Sequence, residues 1–144
     1  MPDYLVVHHM EPDHSANVAV FMDRYPAATV VASIGAFNMM RSYFGTAYED
    51  RRMVVKEGDV LDLGGKHLSF IAAPLVHWPE VMFSYDEEDR LLFSADAFGK
   101  FGALDVDEPW DDEARRYYFG IVGKFGANVQ KVLGKVAQLD VQAI

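Results

Sequence analysis

Apolar positions open this chain as short unbroken runs separated by helix-like stretches. Tyr4-Leu5-Val6-Val7 is apolar and rich in β-formers, which predicts a buried strand almost at the start. Polar residues from His8 through Ser15 follow and read as a loop. Ala16 to Arg24 then has helical character that Pro26 terminates. Thr29-Val30-Val31-Ala32 predicts a second buried strand. Ser33 is placed to cap a helix from Ile34 to Phe44, and Gly45 stands where a C-terminal glycine is expected. Strand, loop, helix, strand, helix is the order of α/β layering with a partly parallel sheet.

The texture then changes. Met53-Val54-Val55, Val60 to Leu63, His67 to Ala72, Val81 to Tyr85 and Leu91 to Ser94 are five short strand candidates. Turn signals stand between them at Glu57-Gly58-Asp59, Gly64-Gly65 and Asp86-Glu87-Glu88-Asp89, which predicts an antiparallel meander. From Trp110 the pattern is helical again. Asp111, Asp112 and Glu113 suit the positive end of a helix dipole. Two helices are predicted, about residues 111–122 and 125–138, joined around Gly123. No repeat, low-complexity tract or linker divides the chain, so residues 1–144 read as one α/β (α+β) domain.

Composition narrows the partners. With 51% hydrophobic and 24% charged residues, 144 residues suffice for a buried core. A net charge of −9 argues against nucleic acid and against an anionic membrane surface. No apolar run approaches the roughly 20 residues that span a bilayer, and no basic-then-apolar leader opens the chain, so a cytoplasmic protein is expected. Cysteine is absent, which removes disulfides and thiolate sites. Any metal must be held by His, Asp and Glu, a set that suits iron, manganese or zinc.

Those donors are concentrated. His9-Met10-Glu11-Pro12-Asp13-His14 puts four metal-binding side chains just past a buried strand, where open α/β sheets place their ligands. His77 ends a β-rich segment and Asp96 follows another, in Leu92-Phe93-Ser94-Ala95-Asp96-Ala97-Phe98-Gly99. His8 is aimed away from His9 by alternation at the strand end and reads as a supporting residue. His67 reads as an edge residue. Trp78 either lines a cavity beside His77 or simply packs there. Met39, Met40, Phe98 and Phe101 are core-like, and Asp86 to Asp89 is a solvated turn. Asp105 and Asp107 belong with the acidic helix start.

The spaced set His-x-Glu-x-Asp-His, then His77, then Asp96, resembles the iron-ligand pattern of flavodiiron proteins. The strings Asp3 to Val7, Glu11 to Ser15, His77-Trp78-Pro79-Glu80, Phe93 to Gly99, and the stretch from Arg116-Tyr117-Tyr118 to Val122-Gly123 are similar to that family too. The resemblance implies a metallo-β-lactamase-like αββα sandwich. It implies two non-haem irons, one on His9, Glu11 and His77 and the other on Asp13 and His14, with Asp96 bridging. No catalytic residue is implied beyond these ligands. Hydrolytic relatives usually carry His where Glu11 stands, and an anionic oxygen there favours iron over zinc. The implied activity is reduction of O2 to water or of NO to N2O. Electrons would come from a flavodoxin-like domain or a rubredoxin, and FMN only through such a domain or partner.

The pattern also has gaps. The family closes its ligand set with a further His, and no His follows position 96 here. It also has strands before the first motif and a flavodoxin-like domain. The expectation is therefore a partial sandwich lacking its N-terminal strands and C-terminal end, with a bare sheet face that drives homo-oligomer formation, and with weaker metal at the second position. Two alternatives stand beside it: a dinuclear zinc hydrolase of the same fold, and a non-catalytic metal-binding remnant.

Overall fold

Helices connect the strands of the first third of the chain, so those strands run parallel; tight turns connect the next ones, so they run antiparallel. In the computed structural model, which describes residues 1–103 and 105–144, β1 (Tyr4–Val7), β2 (Thr29–Ala32) and β3 (Arg52–Val54) form one sheet in that order, paired in parallel. A helical turn α1 (Pro12–Ser15) and helix α2 (Val18–Arg24) link β1 to β2, and α3 (Ile34–Phe44) links β2 to β3. The second sheet is the meander β4 (Val60–Asp62), β5 (His67–Ala72), β6 (Met82–Asp86) and β7 (Leu91–Phe93).

Two expectations about the elements of the first half of the chain need correction. The run at 53–55 is not the first strand of the meander. It follows a helical crossover, so it joins β2 in parallel, with Val31 opposite Met53. The polar stretch 8–15 is not all loop. Pro12 stands in the first turn of α1, where its missing N–H costs nothing.

Period-two alternation builds four layers. Val7, Val30 and Ala32 face α2 and α3, packing with Met22, Phe37 and Met40. Their strand neighbours turn the other way: Val31 meets Leu61, Leu68, Phe70 and Met82 of the second sheet, with Tyr4 and Val6 alongside. On the far side, Ile71, Phe83, Tyr85 and Leu92 pack against Val122, Val129 and Val132 of the C-terminal helical run. The order is helix, sheet, sheet, helix. The bare sheet face expected from the sequence is thus largely closed by the seam between the sheets, although Tyr4 and Val6 remain only partly buried.

The C-terminal run does not break at Gly123. It passes from α4 (Trp110–Tyr117) through a π-helical turn, Tyr118–Val122, and a 3-10 turn, Gly123–Phe125, into α5 (Gly126–Val136). Tyr118 explains the glycines. A Cβ at Gly123 would lie 3.2 Å from the Tyr118 carbonyl oxygen, and one at Gly126 would lie 3.2 Å from its hydroxyl. Asp111, Asp112 and Glu113 occupy the first turn of α4 as expected.

Phe70 is 1% exposed at the centre of the seam. Phe70→Ala is expected to cost about 3–5 kcal/mol in denaturant unfolding, whereas Leu63→Ala, at an exposed position, should change stability little.

Candidate metal centre

Three loops meet where β1, β5 and β7 end. The backbone of the first is locked by its own turn: the Glu11 carbonyl accepts from the N–H groups of His14 and Ser15 at 2.9 Å each. The Ser15 hydroxyl donates to the Met10 carbonyl at 3.0 Å. The second loop carries His77 between β5 and β6, and the third carries Asp96 just after β7. A backbone hydrogen bond ties the two sheets beside this point, from Met82 N–H to the His8 carbonyl at 3.1 Å.

His9, Glu11, His77 and Asp96 each offer one donor atom, and these four atoms lie within 4.8 Å of one another. Asp96 has both oxygens engaged, in different directions. Its Oδ1 lies 2.7 Å from His14 Nε2. Its Oδ2 lies 3.3 Å from His9 Nε2 and 3.2 Å from His77 Nε2. Glu11 Oε2 is 3.1 Å from His77 Nε2 and 3.5 Å from His9 Nε2. His9 is 2% exposed. Its Nε2 and Asp96 Oδ2 are buried with no aligned hydrogen-bond partner. Buried polar atoms are rarely left in that condition. Imidazole nitrogens and carboxylate oxygens aimed at one small volume fit a hard or borderline divalent cation.

Of the six residues singled out in the sequence, five are therefore drawn together: His9, Glu11, His77 and Asp96 as one group, with His14 attached through Asp96. Asp13 stands apart. It is exposed, its Oδ1 accepts the His14 N–H at 3.1 Å, and its Oδ2 is 3.8 Å from His14 Nε2. His8 turns away, as alternation required, to Ser84 Oγ at 2.8 Å and a stacking contact with Phe93. His67 sits on the surface, paired with Glu88 at 2.7 Å. Trp78 packs its edge against His9 and His77, with ring centroids 5.2 and 6.1 Å away.

Two neighbours went unassigned in the sequence. Glu80 is 4% exposed, and its Oε1 sits 2.8 Å from His9 Nδ1. Only its place in His77-Trp78-Pro79-Glu80 pointed to it. Tyr117 keeps its phenol proton far up the pH scale, because of burial first and then the charges of Asp96, Glu11 and Asp13. Beside Tyr117 a cavity of about 230 Å³ is lined by Val76, Ala97, Phe98, Trp110 and Val122 among others. It abuts the chain neighbours of His77 and Asp96.

Burial alone would lower the His9 pKa, but the carboxylates of Asp96 and Glu80 outweigh it and raise the group to about 9. For Asp96 burial acts upward, but His9 and His14 prevail and hold it at about 2. A pKa raised above the unfolded-state value near 6.5 stabilises the fold fully below that pH, and the contribution is lost as pH climbs through about 9. The metal-free protein should therefore lose thermal stability between pH 6.5 and 9.5. His9→Ala should flatten that slope, and an unchanged slope would contradict the assignment.

A family profile described as "ODP family beta lactamase" matches residues 2–144. The chain is 37% identical over 144 residues to a coenzyme F420H2 oxidase of Methanothermobacter marburgensis, covering 95% of this chain and 36% of that protein. It is 35% identical to a nitric oxide reductase of Moorella thermoacetica, with coverage of 96% and 36%. Among solved structures, rubredoxin oxygen:oxidoreductase of Desulfovibrio gigas superposes with a TM-score of 0.87 at 28% identity, over 98% of this chain and 37% of that one. The flavodiiron protein of Giardia intestinalis gives 0.83 at 27%, over 97% and 36%. The chain thus spans little more than a third of the length of each of these four proteins. Matched along nearly its whole length, it belongs to the ODP β-lactamase family, and its layered α/β fold is that of the flavodiiron metal domain.

Proposed function

We propose that this chain is the diiron-binding part of a flavodiiron-type oxidoreductase that reduces O2 to water or NO to N2O in the complete protein. The observation that supports this most is the divided carboxylate of Asp96, with Oδ2 toward His9 and His77 and Oδ1 toward His14. A carboxylate shared in this way suits a bridge between two cations. His9, Glu11 and His77 would hold one iron and Asp13 and His14 the other. Held there, two ferrous ions would supply one-electron chemistry to a small ligand, two electrons from the pair, with the further electrons that O2 reduction to water needs coming from the external donor.

The remaining groups fit that use. Glu11 places an anionic oxygen where a third imidazole would suit zinc, which favours iron and speaks against the hydrolase reading. Trp78 covers His9 and His77 with apolar surface, which limits water at the centre. The adjoining cavity, lined mainly by apolar side chains, suits a small nonpolar gas. Tyr117 holds its proton at Oη beside the carboxylates. A flavodoxin-like domain carrying FMN, or a rubredoxin, is the proposed electron donor, in line with the name of the Desulfovibrio gigas relative. Among the described residues no helix is long and apolar enough to cross a membrane.

Anaerobic loading with ferrous iron followed by metal analysis and Mössbauer spectroscopy tests the proposal. Two irons per chain are expected, spin-coupled after oxidation, with the iron on exposed Asp13 and His14 the first to be removed by a chelator. Asp96→Ala should abolish the coupling and lose at least one iron. A single uncoupled iron in the wild type, or zinc-dependent hydrolysis of ester or lactam substrates, would contradict it. Metal uptake must also displace the His9 proton, so apparent affinity should rise about tenfold per pH unit between 6 and 8; a pH-independent affinity measured by chelator competition would count against His9 as a ligand.

A further inference from the structure

His9 has two ring nitrogens, and Nε2 is the one that faces Glu11 and Asp96. What holds the other is a buried carboxylate from a different part of the chain. Glu80 Oε1 lies 2.8 Å from His9 Nδ1 and also accepts the Met10 N–H at 2.8 Å, so one oxygen grips both the ring and the backbone beside it. Glu80 is held in turn by the start of α3. The Ser33 hydroxyl donates to the Glu80 carbonyl at 2.8 Å while accepting the Ala36 N–H at 3.2 Å as helix cap. Gly35 lies so close that a Cβ there would come within 2.9 Å of Glu80 Cβ and 3.3 Å of its Cα. Any larger residue at 35 must push Glu80 or the helix aside.

We propose that Glu80 is a positioning residue for the metal centre: it fixes His9 as the Nδ1–H tautomer, turns Nε2 toward Glu11, His77 and Asp96, and is buttressed by Ser33 and Gly35 at the start of α3. The inference rests on the diiron reading above. Partners of this kind hold a ligand imidazole in one orientation and raise its basicity, and their loss typically costs ten- to a hundredfold in metal affinity. The effect falls on one metal. His9 serves the position shared with Glu11 and His77, whereas His14 has no contact with Glu80 among the described contacts.

The test compares ferrous-iron affinity, by anaerobic competition with a chromophoric chelator, in the wild type, Glu80→Gln, Gly35→Ala and Gly134→Ala. Glu80→Gln should weaken the tighter iron at least tenfold and leave the weaker one nearly unchanged. Gly35→Ala, which touches no ligand, should weaken the same iron. Gly134→Ala, at a glycine with nothing near a built Cβ, should weaken neither. The tautomer provides a readout that needs no variant. In the zinc-loaded, diamagnetic wild-type chain, nitrogen-15 NMR should show His9 bound through Nε2, with a slowly exchanging, strongly downfield Nδ1 proton. Wild-type affinity for both irons in Glu80→Gln, or His9 bound through Nδ1, would overturn the role of Glu80 while leaving the diiron reading intact. A wild-type chain that takes up no iron would overturn both.

Discussion

Two acids and two imidazoles from three separate loops cannot share so small a volume without something to hold them there. Asp96, Glu11, His9 and His77 place their donor atoms within 4.8 Å of one another, and the His9 Nε2 and Asp96 Oδ2 atoms at the middle are buried without aligned partners. Without a cation, the carboxylates of Asp96 and Glu80 keep a proton on His9 to about pH 9. With a cation the same atoms become ligands and that proton must leave. The fold thus maintains a cluster with the donor set of a divalent-metal site.

The rest of the structure serves to aim that cluster. The seam around Val31, Phe70 and Met82 locks the two sheets together, so the end of β1 stays beside the ends of β5 and β7. Pro12 starts a tight turn directly after Glu11, which swings His14 round toward Asp96 and leaves Asp13 exposed rather than letting the chain run on. The start of α3 reaches the same place through Glu80. Helix, sheet seam and turn therefore converge on the ring of His9, the most enclosed of the five grouped side chains.

Much of this was legible from residues. Alternation at the end of β1 correctly turned His8 away from His9, and the strand-end positions of His77 and Asp96 marked them for one site. Helix and strand runs were placed to within a few residues because short apolar runs between glycine and proline signals leave little choice. Four features were not legible. The partner of the strand at 52–54 depends on a crossover, and nothing within three residues encodes that. The continuous helical run past Gly123 depends on Tyr118 needing room beside two glycines, a contact between residues rather than a local preference. Glu80 looked like a polar residue after a proline, since its role exists only once β1 and the loop before β6 are side by side. The exposure of Asp13 likewise follows from the turn and not from its place in the motif.

The central claim is that two metal ions sit on either side of Asp96. Anomalous diffraction at the iron edge, from crystals of the chain grown anaerobically with ferrous iron, tests it directly. Two peaks are predicted, one against His9, Glu11, His77 and Asp96 Oδ2, and one against His14 and Asp96 Oδ1. A lone peak that Asp96 does not touch, or iron bound only on the acidic surface, would contradict the account.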